Sequence, residues 1–463
     1  MGASRCRIGP DQDEHVTTDP THVPQRRTLV RAPLALAAAC ALAACGTAPK
    51  REALTRPASQ PRPDPDSAGG GDPSEFIVGG QQLNAGLLRR FYAAHGFRAV
   101  WTRRPDQADA LVNAVLRAGD HGLDPELFHA SLLRRRATFP TLRRDMLLSD
   151  AFMAYAGALA AGAVSVERRR DGEALTPGPI DAADALNAAI DGPDPVAAIE
   201  ALAPATPTYR ALRDALRRYR PATPIRAVLL AARMRQIAVN LERQRWLPRP
   251  LPADRVWVNV ADQRLDFYRA DRPVFSTRII VGDDAPRNQS PEFHTSIEAS
   301  FFNPPWVIPR DIVAAEILPR LTRDPDYLTR NNMFLRDNGE AEQRPGPTAG
   351  LGQIMFDMPN RFDVYLHDTP DRQLFNRGNR RISHGCIRVQ NPLELAALLM
   401  DQPIDTIHEE LAIGSTTRSR LPTPVPVFVT YQTAFAGGGG SLEFRPDFYN
   451  RDGDVWQRLQ RRA

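Results

Sequence analysis

The stretch Ile382-Ser383-His384-Gly385-Cys386-Ile387-Arg388-Val389 is the most informative part of the chain. A glycine precedes Cys386, which allows a tight turn and an exposed side chain. His384 and Arg388 lie two residues to either side of the cysteine, and positive charge near a thiol favours its reactive thiolate form. A helix start follows at Asn391, and its amide groups add partial positive charge nearby. Together these features favour a catalytic nucleophile at Cys386 over a buried inert thiol.

The positions of the other cysteines support this interpretation. The chain has four, namely Cys6, Cys40, Cys45 and Cys386. Three of them fall within the first 45 residues, which argues against a four-cysteine disulfide framework. Once an exported chain is cleaved at Cys45, Cys386 remains alone, and a lone thiol has no intrachain partner for a disulfide in an oxidising compartment.

Length and composition indicate a mostly globular protein. The chain of 463 residues, 42% apolar and 24% charged, is long enough for roughly two or three domains. The net charge of +5 is small for this length, and the sequence has no basic stripe with interleaved aromatics, so nucleic-acid binding is not predicted. A zinc site built from His367, His384 and Cys386 lacks a fourth ligand at suitable spacing, so neither a metal nor a cofactor is predicted.

The first 45 residues have the layout of an export signal. Arginines precede a short uncharged apolar run over 32–44, which is too short for a membrane span of about 20 residues. The run ends in Leu42-Ala43-Ala44-Cys45-Gly46, which resembles a bacterial lipobox, so residues 1–45 are predicted to be a signal peptide and Cys45 to carry lipid. Cleavage without lipidation, which gives a soluble product, is the alternative. Gly46, by resemblance to lipoproteins of two-membrane bacteria, implies a periplasmic protein anchored to the outer membrane.

A linker and a helical domain follow the signal. Residues 46–75 are rich in proline and glycine and predict a disordered tether. Residues 76–250 predict an all-α domain, because apolar residues recur at helical spacing, as at Ala108, Leu111, Val112, Val115 and Leu116. The most apolar segment, 146–164, holds Asp150 and many alanines, so we expect a buried core helix rather than a membrane span. The domain shows no catalytic pattern and is interpreted as a scaffold.

The apolar spacing changes from a helical period to alternation near residue 255. Apolar residues alternate from Val256 to Val260, which predicts the first strand of a hairpin. Residues 251–412 are predicted to form a catalytic domain, with further strands over 274–281, 293–301, 353–358 and 363–367. Residues 303–347 are proline-rich with little alternation, and we expect an insertion over the sheet that acts as a lid. Residues 413–463 are predicted to be a C-terminal β extension, with strands over 425–435 and 441–444.

Ser383-His384-Gly385-Cys386-Ile387-Arg388 resembles the active-site motif of the L,D-transpeptidase family with a YkuD-like catalytic domain. Stretches within 303–319 and 345–370 are similar to the large branch of that family, so the resemblance covers about residues 80 to 450. It implies an α+β multidomain protein, in which an N-terminal all-α scaffold domain precedes a β-rich sandwich with an inserted lid. Members of this branch often carry a peptidoglycan-binding module between the two. Here the chain passes from Tyr219 almost directly into the helix at Pro224, so any wall targeting must come from elsewhere.

The resemblance also implies a reaction. Cys386 would attack the peptide bond before the D-Ala at position four of a peptidoglycan stem peptide, release D-Ala and form a thioester, which a neighbouring stem resolves into a 3→3 cross-link. The expected partners are peptidoglycan stem peptides, carbapenem-type inhibitors and, through the lipid anchor, a membrane. Two alternatives stay open: an L,D-carboxypeptidase or other hydrolase of the same family, and a non-catalytic wall-associated lipoprotein.

The same resemblance assigns roles around the nucleophile. His367 would be the general base for the thiol. The backbone carbonyl of Asp368 would hold the His367 ring in the right tautomer, although its carboxylate could instead form an ion pair with the ring. The amides of Gly385 and Cys386 would form the oxyanion hole.

Five further side chains are supporting candidates. Arg388 would orient the loop or a substrate carboxylate through a bidentate contact. Ser383 and His384 would position the substrate, and a satisfied loop histidine is the alternative for His384. Trp306 and Tyr327 lie in the predicted lid and would pack on the stem peptide. For Trp306, a place in the core of the lid is equally compatible with the sequence.

Overall fold

The computed structural model of the chain describes residues 76–219 and 224–461. The predicted signal peptide (1–45), the lipid-bearing Cys45 and the predicted linker (46–75) lie outside the described residues, so these predictions stay predictions. The described part begins with a short hairpin, β1 Ile77–Val78 and β2 Gln81–Gln82.

Helices dominate the part of the chain before residue 250, as the apolar spacing predicts. They are α1 Ala85–Ala93, α2 Pro105–Leu116, α3 Ala130–Arg134, α4 Thr141–Ala161, α5 Ala182–Asp191, α6 Pro195–Glu200, α7 Pro207–Arg218 and α8 Pro224–Arg245. Several start at residues that sequence chemistry favours: Asn84, Asp181 and Thr206 each accept a hydrogen bond from a backbone amide of the first turn.

Helix α4 is the centre of this domain, as predicted for residues 146–164. Its side chains are buried on almost every face, including Phe152 and Tyr155. The buried carboxylate of Asp145 is satisfied, because it accepts hydrogen bonds from the backbone amides of Val100 and Trp101 at 3.0 and 2.8 Å. In the part of the chain that the structure describes, no helix combines the length and apolar character needed to cross a bilayer.

A large mixed sheet forms the second half of the molecule. Its strands are β3 Arg255–Asn259, β4 Arg264–Arg269, β5 Arg272–Gly282, β6 Phe293–Phe302, β10 Ile354–Asp357, β11 Leu366–His367, β12 Arg381–Ser383, β13 Ile387–Val389 and β14 Thr417–Thr430. They lie in the order β12-β5-β13-β11-β10-β6-β14-β3-β4, and β4 also pairs with β5. The two layers of the predicted sandwich are therefore parts of one sheet that closes on itself. Alternate residues such as Val256, Val258 and Leu265 fill the interior.

The C-terminal segment contributes more than the predicted extension. Strand β14 lies between β6 and β3, antiparallel to the first and parallel to the second, so it belongs to the middle of the sheet. A hairpin follows, formed by β15 Ala434–Ala436 and β16 Leu442–Phe444. The chain then forms α14 Arg451–Leu459, which the sequence did not predict because four of its nine residues are charged and only three are apolar. Helices α12 Pro392–Met400 and α13 Ile404–Ala412 follow β13 and pack under the sheet.

The insertion at 303–347 has its own small fold. Strands β7 Trp306–Ile308, β8 Met333–Leu335 and β9 Ala341–Gln343 form a three-stranded sheet in the order β7-β9-β8. A helical segment runs from α9 Arg310–Ile312 through a π-helical turn at Val313–Ile317 into α10 Leu318–Leu321, and α11 Tyr327–Arg330 follows. The sequence did not predict this sheet, because strands of three residues leave almost no alternation.

Buried charges join the helical domain to the sheet and to α14. The Arg458 guanidinium on α14 donates to both carboxylate oxygens of Glu173, at 2.5 and 2.7 Å. Arg243 on α8 pairs with Asp452 at 2.5 Å. Glu292, just before β6, is fully buried, and burial raises the pKa of its carboxyl group. Removing one partner of such a buried pair costs more than the pair contributes, so this cluster fixes the arrangement of the three segments.

Candidate active site

Cys386 lies in a turn at the start of β13. Gly385 before it has φ of 121°, in the region that residues with a Cβ rarely adopt, so glycine is required there. The turn places the cysteine where β13 begins between β5 and β11, and the Ile387 amide donates to the Tyr365 carbonyl at 2.9 Å. Only 7% of the Cys386 surface is exposed. The predicted nucleophile is therefore held rigidly and covered.

Two serine hydroxyls hold the turn. Ser383 donates to the Cys386 carbonyl at 2.6 Å and accepts from the Gly385 amide at 3.2 Å. Ser290 donates to the Gly385 carbonyl at 2.8 Å and accepts from the Gly282 amide at 3.0 Å. The Gly385 amide, which was expected to bind an oxyanion, thus already has an acceptor within the turn. Ser383, expected to position substrate, positions the nucleophile turn.

His367 is the last residue of β11, the strand next to β13. The two strands are parallel, with Leu366 opposite Ile387 and His367 opposite Arg388. The ring Nδ1 donates to the Asp368 carbonyl at 2.6 Å. A carbonyl can only accept, so the neutral ring carries its proton on Nδ1 and its basic lone pair on Nε2.

Burial controls the protonation of His367. Desolvation lowers the pKa of His367 to about 3, and the positive charge of Arg388 acts in the same direction. The carbonyls of Asp368 and Leu351, which favour the protonated ring, oppose this shift only in part. The imidazole is therefore neutral at physiological pH, as a general base must be before it takes a proton.

The Asp368 carboxylate binds groups other than the His367 ring. Its Oδ2 accepts from the Gln353 amide at 2.9 Å, and its Oδ1 pairs with Arg372 at 2.5 Å. Gly352, with φ of 65°, lies against this carboxylate: a Cβ there would come within 2.4 Å of Oδ2. The carbonyl holds the ring and the carboxylate anchors the loop before β10.

Two polar side chains of the motif, His384 and Arg388, have partners outside it. His384 Nε2 lies 2.6 Å from Oε1 of Glu316, which is on the π-helical turn of the lid. Arg388 lies beside His367 and is 3.9 Å from Asp371. The contact between His384 and Glu316 connects the nucleophile turn to the lid, and π turns inside helices are frequent at functional sites.

An apolar cluster from the sheet and the lid covers the thiol. Cys386 packs with Leu351 and Met355, and Trp306, Tyr365 and Phe301 border this cluster. Trp306 also belongs to the border of the lid's own core, and its buried Nε1–H has no acceptor among the described residues. Tyr327 packs in the lid core only, where Arg320 donates to its hydroxyl at 2.7 Å. Of the two lid residues predicted to contact substrate, the structure brings Trp306 to the thiol and leaves Tyr327 farther out in the lid.

Two family models match this chain. The family model described as the L,D-transpeptidase catalytic domain, YkuD, matches residues 253–427, and the one described as the Scaffold domain matches residues 86–216. The chain therefore contains a Scaffold domain followed by an L,D-transpeptidase catalytic domain. The sequence-based assignment, with a helical domain before a β-rich catalytic domain, is thereby confirmed.

One curated relative and several solved structures are similar to this chain. A Haemophilus influenzae protein that is named provisionally as an L,D-transpeptidase is 31% identical over 243 residues, and the match covers 48% of each chain. The chain thus spans about half the length of this relative. An Ldtfm–avibactam carbamoyl enzyme is 14% identical with a TM-score of 0.20, over 39% of this chain and 49% of that one. A mutant Enterococcus faecium L,D-transpeptidase is also 14% identical, with a TM-score of 0.17 over 39% and 50%.

The structure places the predicted Cys386 and His367 on neighbouring strands, and it adds supporting residues that the sequence did not indicate. Ser290 and Glu316 lie 96 and 70 positions before Cys386, so no local pattern linked them to the motif. Gly352 belonged to a stretch that the resemblance covered, and a glycine beside Leu351 was the only available signal. Within the described ranges, no three His, Cys, Asp or Glu side chains converge on a possible metal position. The predicted lack of a cofactor stays a prediction.

Proposed function

We propose that this protein is a cysteine-dependent L,D-transpeptidase that forms 3→3 cross-links between peptidoglycan stem peptides. The observation that carries the proposal is the pairing of two neighbouring strands: one starts at Cys386 on an obligatory glycine turn, and the other ends at a neutral His367 whose Nδ1 proton is fixed. Together they supply a nucleophile and a base on a rigid support.

The first step is acylation. Nε2 of His367 takes the proton of the Cys386 thiol while Sγ attacks the carbonyl carbon between the third residue of the stem and D-Ala. The C–N bond breaks, the proton passes from His367 to the departing amine of D-Ala, and a thioester remains. Burial and the charge of Arg388 lower the pKa of His367, which favours the neutral imidazole that can take the thiol proton.

The second step is transfer to an amine. The side-chain amine of a neighbouring stem attacks the thioester and gives a proton to His367, the new amide forms, the C–S bond breaks, and the proton returns to sulfur. The burial of Cys386 favours transfer to an amine rather than hydrolysis. The lid and the sheet leave the residue 7% exposed and so limit the access of bulk water to the thioester. The orphan Nε1–H of Trp306 gives the lid a donor for a peptide carbonyl of the bound stem.

Purified protein incubated with disaccharide tetrapeptides tests the proposal, with products identified by mass spectrometry. We expect a dimer linked 3→3, free D-Ala and a transient thioester on Cys386, all absent in Cys386→Ala and reduced at least about a hundredfold in His367→Gln. His408→Gln, an exposed histidine on α13, is the matched control and should retain activity. Tripeptide without dimer would establish a carboxypeptidase, and products that persist in Cys386→Ala would overturn both enzymatic assignments.

The same chemistry predicts inhibition by carbapenems. A β-lactam carbonyl presents an acylating carbon to Cys386, and ring opening leaves a stable thioester. Intact-mass measurement should show one adduct per chain that is absent in Cys386→Ala. A second adduct or a persistent one in the variant would place the reaction elsewhere.

We also propose that the protein is exported and anchored to the outer membrane through a lipid on Cys45. Support comes from the apolar run over 32–44 and the lipobox-like end at Cys45. Two or more acyl chains give firm anchoring where one does not. Mass spectrometry of the mature N-terminus should find a lipidated Cys45, and Cys45→Ala should appear in the soluble periplasmic fraction. An unmodified N-terminus at another residue would refute the anchor.

A further inference from the structure

A large cleft lies between the helical domain, the outer face of β3, β4 and β5, and the hairpin β15–β16. Its volume is about 1820 Å³, well above the roughly 300–1,000 Å³ of a pocket for a small molecule. Its size therefore fits an oligomer rather than a single metabolite.

Alternation along the strands determines what faces this cleft. Val256, Val258, Leu265 and Phe267 point into the closed sheet and are buried. The intervening residues face the cleft, and they include Trp257, Tyr268 and Arg278. Each strand thus has one apolar face that packs in the core and one aromatic and polar face that lines the cleft.

The lining combines aromatic rings with hydrogen-bonding groups of both signs. Tyr268 and Trp257 are partly exposed, side-chain amides come from Gln263 and Gln390, and arginines alternate with aspartates such as Asp266. A nucleic acid would need a single-sign basic surface, and a lipid would need an apolar one. Sugar rings present apolar C–H faces that stack on aromatic side chains, and hydroxyls that both donate to amides and carboxylates and accept from guanidinium groups. The lining matches a polysaccharide.

The cleft borders the strand that follows the nucleophile, because Gln390, directly after β13, belongs to its lining. Residues 386, 388 and 390 alternate to one face of β13, and the Gln390 amide donates to the Arg278 carbonyl at 3.0 Å. Cys386 and Gln390 are four residues apart along an extended strand, or about 13 Å. The first three residues of a stem peptide span about 10 Å when extended, to which the lactyl group that joins them to the sugar adds a few ångströms. A stem rooted on a glycan in the cleft can therefore reach Sγ.

We propose that this cleft binds the glycan strand of peptidoglycan and directs its stem peptide to Cys386. The inference rests on the proposed transpeptidase function, and it gives the described part of the chain a contact with the glycan as well as with the stem peptide. Recognition is by stacking on Tyr268 and by hydrogen bonds from Arg278 and the neighbouring amides.

The test measures binding in a protein that cannot react. Cys386→Ala protein is titrated with glycan chains stripped of their stem peptides by an amidase, and the complex is followed by isothermal titration calorimetry. We expect saturable binding that weakens at least tenfold in Tyr268→Ala and in Arg278→Ala. Arg143→Ala, which removes the same charge from an exposed position on α4 outside the cleft, should bind as the parent does.

Arg278 keeps the test informative if Tyr268→Ala folds poorly. Its side chain is exposed and donates one long hydrogen bond, 3.5 Å to the Phe375 carbonyl, so the loss of the side chain should leave the fold intact. No binding by the parent, equal binding by Arg278→Ala, or displacement of the glycan by free stem peptide would overturn the inference. Glycan binding by a protein that makes no cross-links would sustain it while refuting the transpeptidase proposal.

Discussion

Replacement of His367 by glutamine should weaken the acid sensitivity of the folded protein. The pKa of His367 is about 3 in the folded chain, against about 6.5 for an unperturbed histidine. Between these pH values the unfolded chain binds a proton at this histidine and the folded chain does not. The contribution of His367 to the free energy of unfolding is therefore fully present above about pH 6.5 and is lost as the pH falls toward 3. The slope is about 1.4 kcal/mol per pH unit, which gives a loss of about 2.7 kcal/mol at pH 4.5.

This loss is large beside the roughly 5–15 kcal/mol of a typical domain. It can be measured by urea unfolding at a series of pH values between about 7.5 and 4.5, followed by tryptophan fluorescence. His367→Gln changes the free energy of unfolding by an amount that is the same at every pH. It also removes about 2.7 kcal/mol of the decrease in that free energy between about pH 7.5 and 4.5. Burial also lowers the pKa of His121, but this residue is present in both proteins and cancels in the comparison.

His408→Gln serves as the control, because His408 is exposed on α13 and its replacement should leave the pH dependence unchanged. Parallel curves for wild type and His367→Gln would refute the reasoning. They would mean that His367 has the same pKa in the folded and unfolded chains, so burial would not keep the imidazole neutral.

Three further substitutions probe the supports of the site. Ser383→Ala removes the hydroxyl that bridges the nucleophile turn and should cost about 1–3 kcal/mol in thermal denaturation, together with activity; an unchanged rate would contradict the role. Gly352→Ala puts a methyl group against Asp368 at a positive φ, so we expect a loss of about 1–3 kcal/mol and of most turnover, and full activity would refute the packing. Glu173→Gln leaves Arg458 without its carboxylate and should cost about 3–5 kcal/mol by calorimetry, a value that a change under about 1 kcal/mol would contradict.

Local sequence chemistry predicted those parts of the molecule that local chemistry controls. The alternation from Val256 to Val260 predicted strand β3 and which of its residues point into the core. The helical spacing of Leu111 and Val115 predicted α2. Gly385 marked a turn, and the structure gives it a φ that only glycine adopts readily. In each case the signal and the structural cause lie within a few residues of one another.

The rest depends on contacts between distant residues. Closure of the sheet needs β4 to meet β5 while β14 enters between two earlier strands, and no window of sequence contains both partners. Arg458 meets Glu173 across 285 positions, and His384 meets Glu316 only because the lid folds back over the turn. Such pairs look like ordinary surface charges in the sequence, because only the fold reveals that they are buried or adjacent.

The location of β14 has a consequence for the order of folding. Strand β14 lies between β3 and β6 and is the last strand of the closed sheet to be synthesised. Its Thr430 hydroxyl donates to the Val258 carbonyl across 172 positions. Until it arrives, β3 and β6 expose unpaired backbone edges, which are templates for aggregation. Long loops must close before these pairings form, which makes assembly slow. A chain cut short before residue 417 would therefore keep Cys386 and His367 and still lack the strand that brings the walls of their sheet together.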